Sequence, residues 1–252
     1  MKPLIIGSRG SPLALAQTHF IRDRLQATHA GLSVEVKIIK TSGDIFQTVS
    51  MAAAGGKGLF TKEIEEQLLA GDIDLAVHSM KDLPTTLPDG LAIGCVPARE
   101  DARDALVSHR YRTVDELPQG ARIGTSSIRR KAQLLARRPD LRMEEIRGNV
   151  QTRLNKLASE GLDATILAAA GLRRLGLAAP AYPLSFDVML PAVGQGLIAV
   201  EIREADARKV FDTPSTASFS GATLRSSSDR SEEHTSELQS HSDLVCRLLL
   251  EK

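Results

Sequence analysis

Tryptophan is absent from this sequence, and only six Phe and two Tyr supply aromatic surface. Proteins that grip single-stranded nucleic acid stack bases on such rings, so that class is poorly served. An excess of either charge is missing too. The 32 Lys and Arg stand against 31 Asp and Glu, a formal net of +1, whereas a binder of phosphate backbones concentrates basic charge. Two cysteines, Cys95 and Cys246, are too few and too far apart for a metal-ligand pattern, and they imply a reducing compartment. No metal site is expected. No run approaches the roughly 20 apolar residues of a membrane span. Leu4-Ile5-Ile6 opens a strand-like pattern at once, without the longer apolar stretch of a signal peptide. These absences predict a cytoplasmic protein bound neither to nucleic acid nor to a membrane.

What is present is ample core material, 42% hydrophobic over 252 residues, enough for one large or two ordinary domains. Short apolar runs alternate with amphipathic stretches, which predicts an α/β architecture. The strand candidates are Leu4–Ser8, Val34–Ile39, Leu75–His78, Ala92–Pro97, Arg122–Thr125, Met143–Ile146 and Ala164–Leu167. Ser11 can cap a first helix with Pro12 at its first position, and Leu13, Ala16, Phe20 and Leu25 mark its apolar stripe. A second helix is expected over Thr61–Ala70, a third from Ser127 to Pro139, and a fourth after Asn149, ending before Gly161. The strand–turn–helix Ile6-Gly7-Ser8 leading to Ala16-Gln17 is echoed by Ile123-Gly124-Thr125 leading to Ala132-Gln133. Two domains on one plan are therefore expected. From Thr213 the chain turns Ser/Thr/Ala-rich, and Arg230–Lys252 reads like a translated sequencing-library adapter, to be set aside from the fold.

Three polar turns each lead from a strand candidate into a helix: Ser8-Arg9-Gly10-Ser11, Thr125-Ser126-Ser127 followed by Arg129-Arg130, and Arg147-Gly148-Asn149 followed by Arg153. Helix N-termini carry unpaired N–H groups and partial positive charge, and the arginine fork pairs bidentately with carboxylates. Together they make candidate carboxylate clamps, although ordinary caps with surface arginines would give the same pattern. Gly55-Gly56-Lys57-Gly58 could bring backbone close to a ligand or simply connect two elements. In Ala76-Val77-His78-Ser79-Met80-Lys81-Asp82, a buried strand delivers Lys81 and Asp82 beyond its carboxyl end, where ligands of open α/β sheets sit. His78 fits a hydrogen-bonded core histidine better than a catalyst.

Taken in order, SRGSPLALAQ, GGKGLFTKEIE, DLAVHSMKDLP, REDARDALVS, IGTSSIRRKAQL, RRPDL, IRGNVQTRL, ILAAAGLRRLG and LPAVGQG resemble the porphobilinogen deaminase (hydroxymethylbilane synthase) family from Ser8 to Gly196. The resemblance implies a monomeric transferase of tetrapyrrole biosynthesis. It joins four porphobilinogen units head to tail, releases ammonia at each step, and extends the chain on a cysteine-bound dipyrromethane cofactor. It implies Asp82 as the catalytic residue. Arg9, Ser11, Lys81, Thr125, Ser127, Arg129, Arg130, Arg147 and Arg153 would hold the carboxylates of cofactor, substrate and growing pyrrole chain, with Lys57 and Gln195 as further members. The implied fold is a pair of domains like those of type II periplasmic binding proteins, with the active cleft between them: 1–98 plus about 197–212, and 99–196. The family's third, α+β domain, with its cysteine loop, is expected to be missing and replaced by residues 213–252. No covalent cofactor cysteine is found, so the chain as written is expected to be inactive. The alternative is a two-lobed polyanion-binding protein without catalysis.

Overall fold

In the computed structural model, residues 2–45 and 60–206 are described. The chain runs β1 (Leu4–Ser8), α1 (Pro12–Thr28), β2 (Val34–Ile38), α2 (Ser42–Ile45), α3 (Lys62–Ala70), β3 (Leu75–Ser79), a 3-10 turn (Met80–Asp82) and β4 (Leu91–Cys95). It continues through β5 (Asp104–Val107), β6 (Arg122–Gly124), α4 (Ile128–Arg137), β7 (Arg142–Glu144), α5 (Val150–Ser159), β8 (Ala164–Ala168), α6 (Ala169–Arg174), β9 (Ala181–Pro183) and β10 (Ile198–Arg203).

Two five-stranded sheets result, ordered β2-β1-β3-β10-β4 and β7-β6-β8-β5-β9. In each, the first three strands are parallel and the fourth is antiparallel to both its neighbours. The lobes are therefore one plan used twice, as the echo in the sequence predicts, with β1 and β6 in equivalent places. The match extends to single residues. Asp74 accepts the Ile5 N–H at 2.9 Å and Asp163 accepts the Arg122 N–H at 2.8 Å, so each aspartate fastens the start of its lobe's second strand in sheet order.

Period-two burial puts a helix on each face of each sheet. Leu4, Ile6, Leu75, Val77, Val200 and Ile202 pack against Ile21 and Leu25 of α1, while Ala76 faces Ile64 and Leu68 of α3 on the other side. In the second lobe Ile123, Ile166 and Leu106 meet Leu134 of α4; Val107 and Leu167 meet Leu157 of α5 and Leu172 of α6. Each fully buried Ile or Leu contributes about 1.5–3 kcal/mol relative to exposure.

Three expectations need correction. The buried face of α1 is Gln17, Thr18, Ile21 and Leu25, whereas Phe20 is 43% exposed beside Arg24. Buried Thr18 bonds Ser8 at 2.7 Å, and this polar contact rotates the helix away from the purely apolar stripe. β7 spans Arg142–Glu144 instead of Met143–Ile146, because it ends where Gly124 of β6 ends. β4 likewise begins at Leu91, paired with Arg203 of β10, and stops at Cys95. Residues 207–252, including Cys246 and the adapter-like string, lie outside the described residues.

Candidate active site between the two lobes

The parallel strands of both lobes end in polar turns, and helix caps shape those turns. After β1, the Ser11 hydroxyl accepts the Ala14 N–H at 3.3 Å and starts α1. The buried Thr18 and Ser8 hydroxyls form a chain that ends on the Arg9 carbonyl, 3.0 Å from Ser8 Oγ. The Arg9 guanidinium lies 4.2 Å from the centroid of the Phe60 ring, a cation–π contact. After β6, buried Thr125 accepts the Ser127 N–H at 3.2 Å, and Ser127 caps α4 by accepting from Arg130 N. Asn149 caps α5, accepting from Thr152 N at 2.8 Å.

The arginines these turns carry are used differently. Arg130 is buried, and its Nε and Nη2 donate to Asp104 Oδ1 at 3.1 and 2.7 Å while Nη1 donates to the Ile166 carbonyl at 2.9 Å. Arg129 touches the other Asp104 oxygen at 2.7 Å, bonds the Leu190 carbonyl, and keeps 26% of its side chain exposed. Arg147 pairs with Glu145 at 2.7 Å. Arg153 donates from Nε to the Gly148 carbonyl at 2.9 Å. Burial and the neighbouring Arg130 charge push the Arg153 guanidinium below its ordinary range. Gln195 is also buried: its Nε2 donates to the Ala102 carbonyl at 2.8 Å and to Asp104 Oδ1 at 3.0 Å.

Lys81 and Asp82 follow β3 on the 3-10 turn, and both are exposed. Lys81 reaches solvent, but the surrounding walls exclude enough water to push its ammonium down, against the pull of Asp82. The charges of Arg130, Asp104 and Arg129, all from the second lobe, also act on it. The turn after β3 in one lobe thus lies within electrostatic reach of the arginine-bearing helix α4 of the other. The loop that closes this contact needs glycine twice. At Gly194, with φ +72°, an added Cβ would lie 2.8 Å from the Met80 side chain and 3.2 Å from the Lys81 nitrogen; at Gly196, with φ +88°, it would collide with the Glu100 carbonyl. Ser79, just before the turn, is held by Gln17 Nε2 at 3.0 Å.

Sequence reasoning assigned no role to Asp104, Gln17 or Phe60. A carboxylate opening the apolar run Asp-Ala-Leu-Val was the available signal for the first. His78 is in the core as expected, with Nε2 3.0 Å from Glu201 Oε2. Lys57 lies outside the described residues. Cys95 ends β4 and packs against the first lobe's apolar cluster. Among the described residues there is no group of three or more His, Cys, Asp or Glu able to hold a metal, and no helix long and apolar enough to cross a membrane.

Two α/β lobes whose strand-end turns carry Arg, Lys, capped helix N-termini and the exposed Asp82 define the class: a two-lobed α/β protein with basic side chains gathered on its turns. The comparisons give the family. A model described as porphobilinogen deaminase, dipyrromethane cofactor binding domain, matches residues 4–210. The porphobilinogen deaminase of Nitratidesulfovibrio vulgaris is 57% identical over 215 residues, covering 84% of this chain and 68% of that protein. The one from a Geobacillus species is 57% identical over 208 residues, covering 82% and 67%. Among solved structures, the aliphatic sulphonate binding protein SsuA of Escherichia coli aligns over 83% of this chain and 64% of that one, at 14% identity and a TM-score of 0.46. The chain belongs to the porphobilinogen deaminase family, transferases that condense porphobilinogen into hydroxymethylbilane. It spans about two thirds of the length of these relatives.

The residues present fit the carboxylates of a dipyrromethane cofactor. Arg153 has no acidic partner among the described residues, and the Arg129–Arg130 pair shares a single aspartate. A covalent anchor is a separate matter, since Cys95 sits in the packed first lobe and Cys246 lies outside the described residues.

Proposed function

We propose that the cleft binds porphobilinogen and the growing pyrrole chain through their acetate and propionate groups and that Asp82 is the catalytic residue. The observation that carries this reading is the approach of Lys81, next to Asp82 on the turn after β3, to the second lobe, close enough that the charges of Arg130, Asp104 and Arg129 act on its ammonium. Arg9, Lys81, Arg129, Arg147 and Arg153 supply the carboxylate contacts. Arg130, Thr125 and Gln195 hold the second lobe's clamp in shape; Ser11 and Ser127 set the helix N-termini beside it. Lys57 joins the set by its match to the family motif. The lobes divide at 1–98 plus about 197–212, and 99–196.

The bound dipyrromethane supplies the pyrrole ring to which the first unit is joined. On substrate, loss of ammonia from the aminomethyl group leaves a positively charged methylene-pyrrolenine. The Asp82 carboxylate, fixed at the end of β3, stabilises that charge and the pyrrole N–H groups. With a terminal pyrrole ring held beside it, the carbon–carbon bond would form at that ring's free α-carbon, and the Asp82 carboxylate can take up the proton released there. Clamping both rings by their carboxylates converts the condensation into a reaction within one complex. The protein works as a cytoplasmic monomer, without nucleic acid or membrane.

The chain as written is expected to be inactive for want of a covalent cofactor anchor, so the test supplies a linear oligopyrrole carboxylate as primer in its place; with that and porphobilinogen, it should release one ammonia per porphobilinogen consumed. Binding without ammonia release would instead favour a two-lobed polyanion binder.

A further inference from the structure

Comparing the two lobes strand by strand exposes one position where the repeat is broken at a cost. Ile198 of β10 pairs with Ser79 of β3, and Asp104 of β5 pairs with Ala168 of β8. Asp104 therefore occupies, in the second lobe, the place of a core isoleucine in the first. It is 0% exposed. A carboxylate so buried is costly unless hydrogen bonds and countercharges compensate it, so its partners account for its presence.

Those partners come from two parts of the chain, helix α4 and the loop before β10. Arg130 holds Oδ1 with two donors, Arg129 lies 2.7 Å from Oδ2, and Gln195 donates to Oδ1 at 3.0 Å. Asp104 itself ends one segment that crosses between the lobes, and Gln195 sits in the other. Gln195 also bonds the Ala102 carbonyl, and its own carbonyl accepts from Arg99 Nε at 2.9 Å, so the two crossings are stitched together at this point. Charge counting completes the picture. Two guanidiniums share one carboxylate, which leaves an excess positive charge, and the member with exposed surface is Arg129.

We propose that Asp104 is a positioning residue: it aims Arg129 at an incoming pyrrole carboxylate and, through Gln195, ties that arginine to both segments joining the lobes. The inference rests on the reading of Arg129 as a carboxylate ligand. An arriving carboxylate supplies the second negative charge that the pair lacks. Because the aspartate is anchored at the crossings, binding at Arg129 is coupled to the angle between the lobes.

Isothermal titration of the full chain with porphobilinogen tests this, since the stoichiometry reports the folded fraction and Kd reports the site. Asp104→Asn should weaken Kd by about tenfold or more, the scale of lost charge-assisted hydrogen bonds. A purely structural aspartate would lower the stoichiometry and leave Kd unchanged, which would overturn the proposal. Gln195→Glu places a second carboxylate in the cluster and cancels its excess charge, so it too should weaken Kd. If Asp104→Asn does not fold, an unchanged Kd in Gln195→Glu overturns the proposal by itself. An unmodified chain with no affinity for porphobilinogen would remove the clamp reading first, and this one with it.

Discussion

Arg129 and Arg130 are neighbours in sequence with opposite fates. Consecutive helical residues point about 100° apart, so one guanidinium enters the protein to meet Asp104 while the other remains at the cleft. Nothing in the pair Arg-Arg says which is which; the choice depends on the face of α4 that Leu134 buries. The same dependence hides Glu65. It is buried on α3 near Glu201 and His78, and burial, reinforced by the Glu201 charge, raises its pKa. A group whose folded pKa lies above its unfolded value contributes stability that is complete below the unfolded pKa and is lost as pH rises through the folded one. Glu65 therefore costs stability near neutrality. Glu65→Gln should melt higher than the parent at pH 7–8, and the gain should shrink as pH falls towards 4. Parallel thermal denaturation curves at the two pH values check this.

At the scale of elements, the parts that could be read from sequence are those with local signals. Ser11-Pro12 starts α1, Ser127 starts α4 and Asn149 starts α5, each with the cap bond its residue type predicts. Gly71, at φ +78°, ends α3 as a left-handed cap. The elements that the sequence reading does not give are β5, β9, β10, α2 and α6. β5 and β9 are short runs whose identity as strands comes from antiparallel pairing with distant segments, and α6 is a six-residue helix that packs against β8. The caps have measurable weight. Asn149→Ala removes acceptors for Thr152 N and Thr152 Oγ1 at an exposed site. It should cost about 1 kcal/mol, which lowers the melting temperature by about 2–4 °C in a chain of this size. A calorimetric scan reads that shift directly, and an unchanged midpoint would show that α5 does not depend on its cap.

The whole molecule is a duplicated plan made asymmetric by its chemistry. Its duplication was legible in Ile6-Gly7-Ser8 and Ile123-Gly124-Thr125, and the structure carries the correspondence into sheet order and the paired aspartates Asp74 and Asp163. What sequence alone could not give is where the two copies diverge. After β3 the chain makes the Met80–Asp82 turn and presents an exposed carboxylate, whereas after β8 it continues directly into α6. Conversely, the second lobe buries Asp104 where the first has Ile198. On the proposed function, the site sits at these departures from symmetry: one lobe would bring the carboxylate that meets the developing charge, and the other most of the arginines that would hold the substrate. The most direct test of this division is ammonia release from porphobilinogen, with an oligopyrrole primer, by the Asp82→Asn chain beside the unmodified one at equal folded concentration. The account predicts a loss of about 10²-fold or more with an unchanged melting temperature, because Asp82 is exposed and outside the core. Equal rates from the two chains would contradict it.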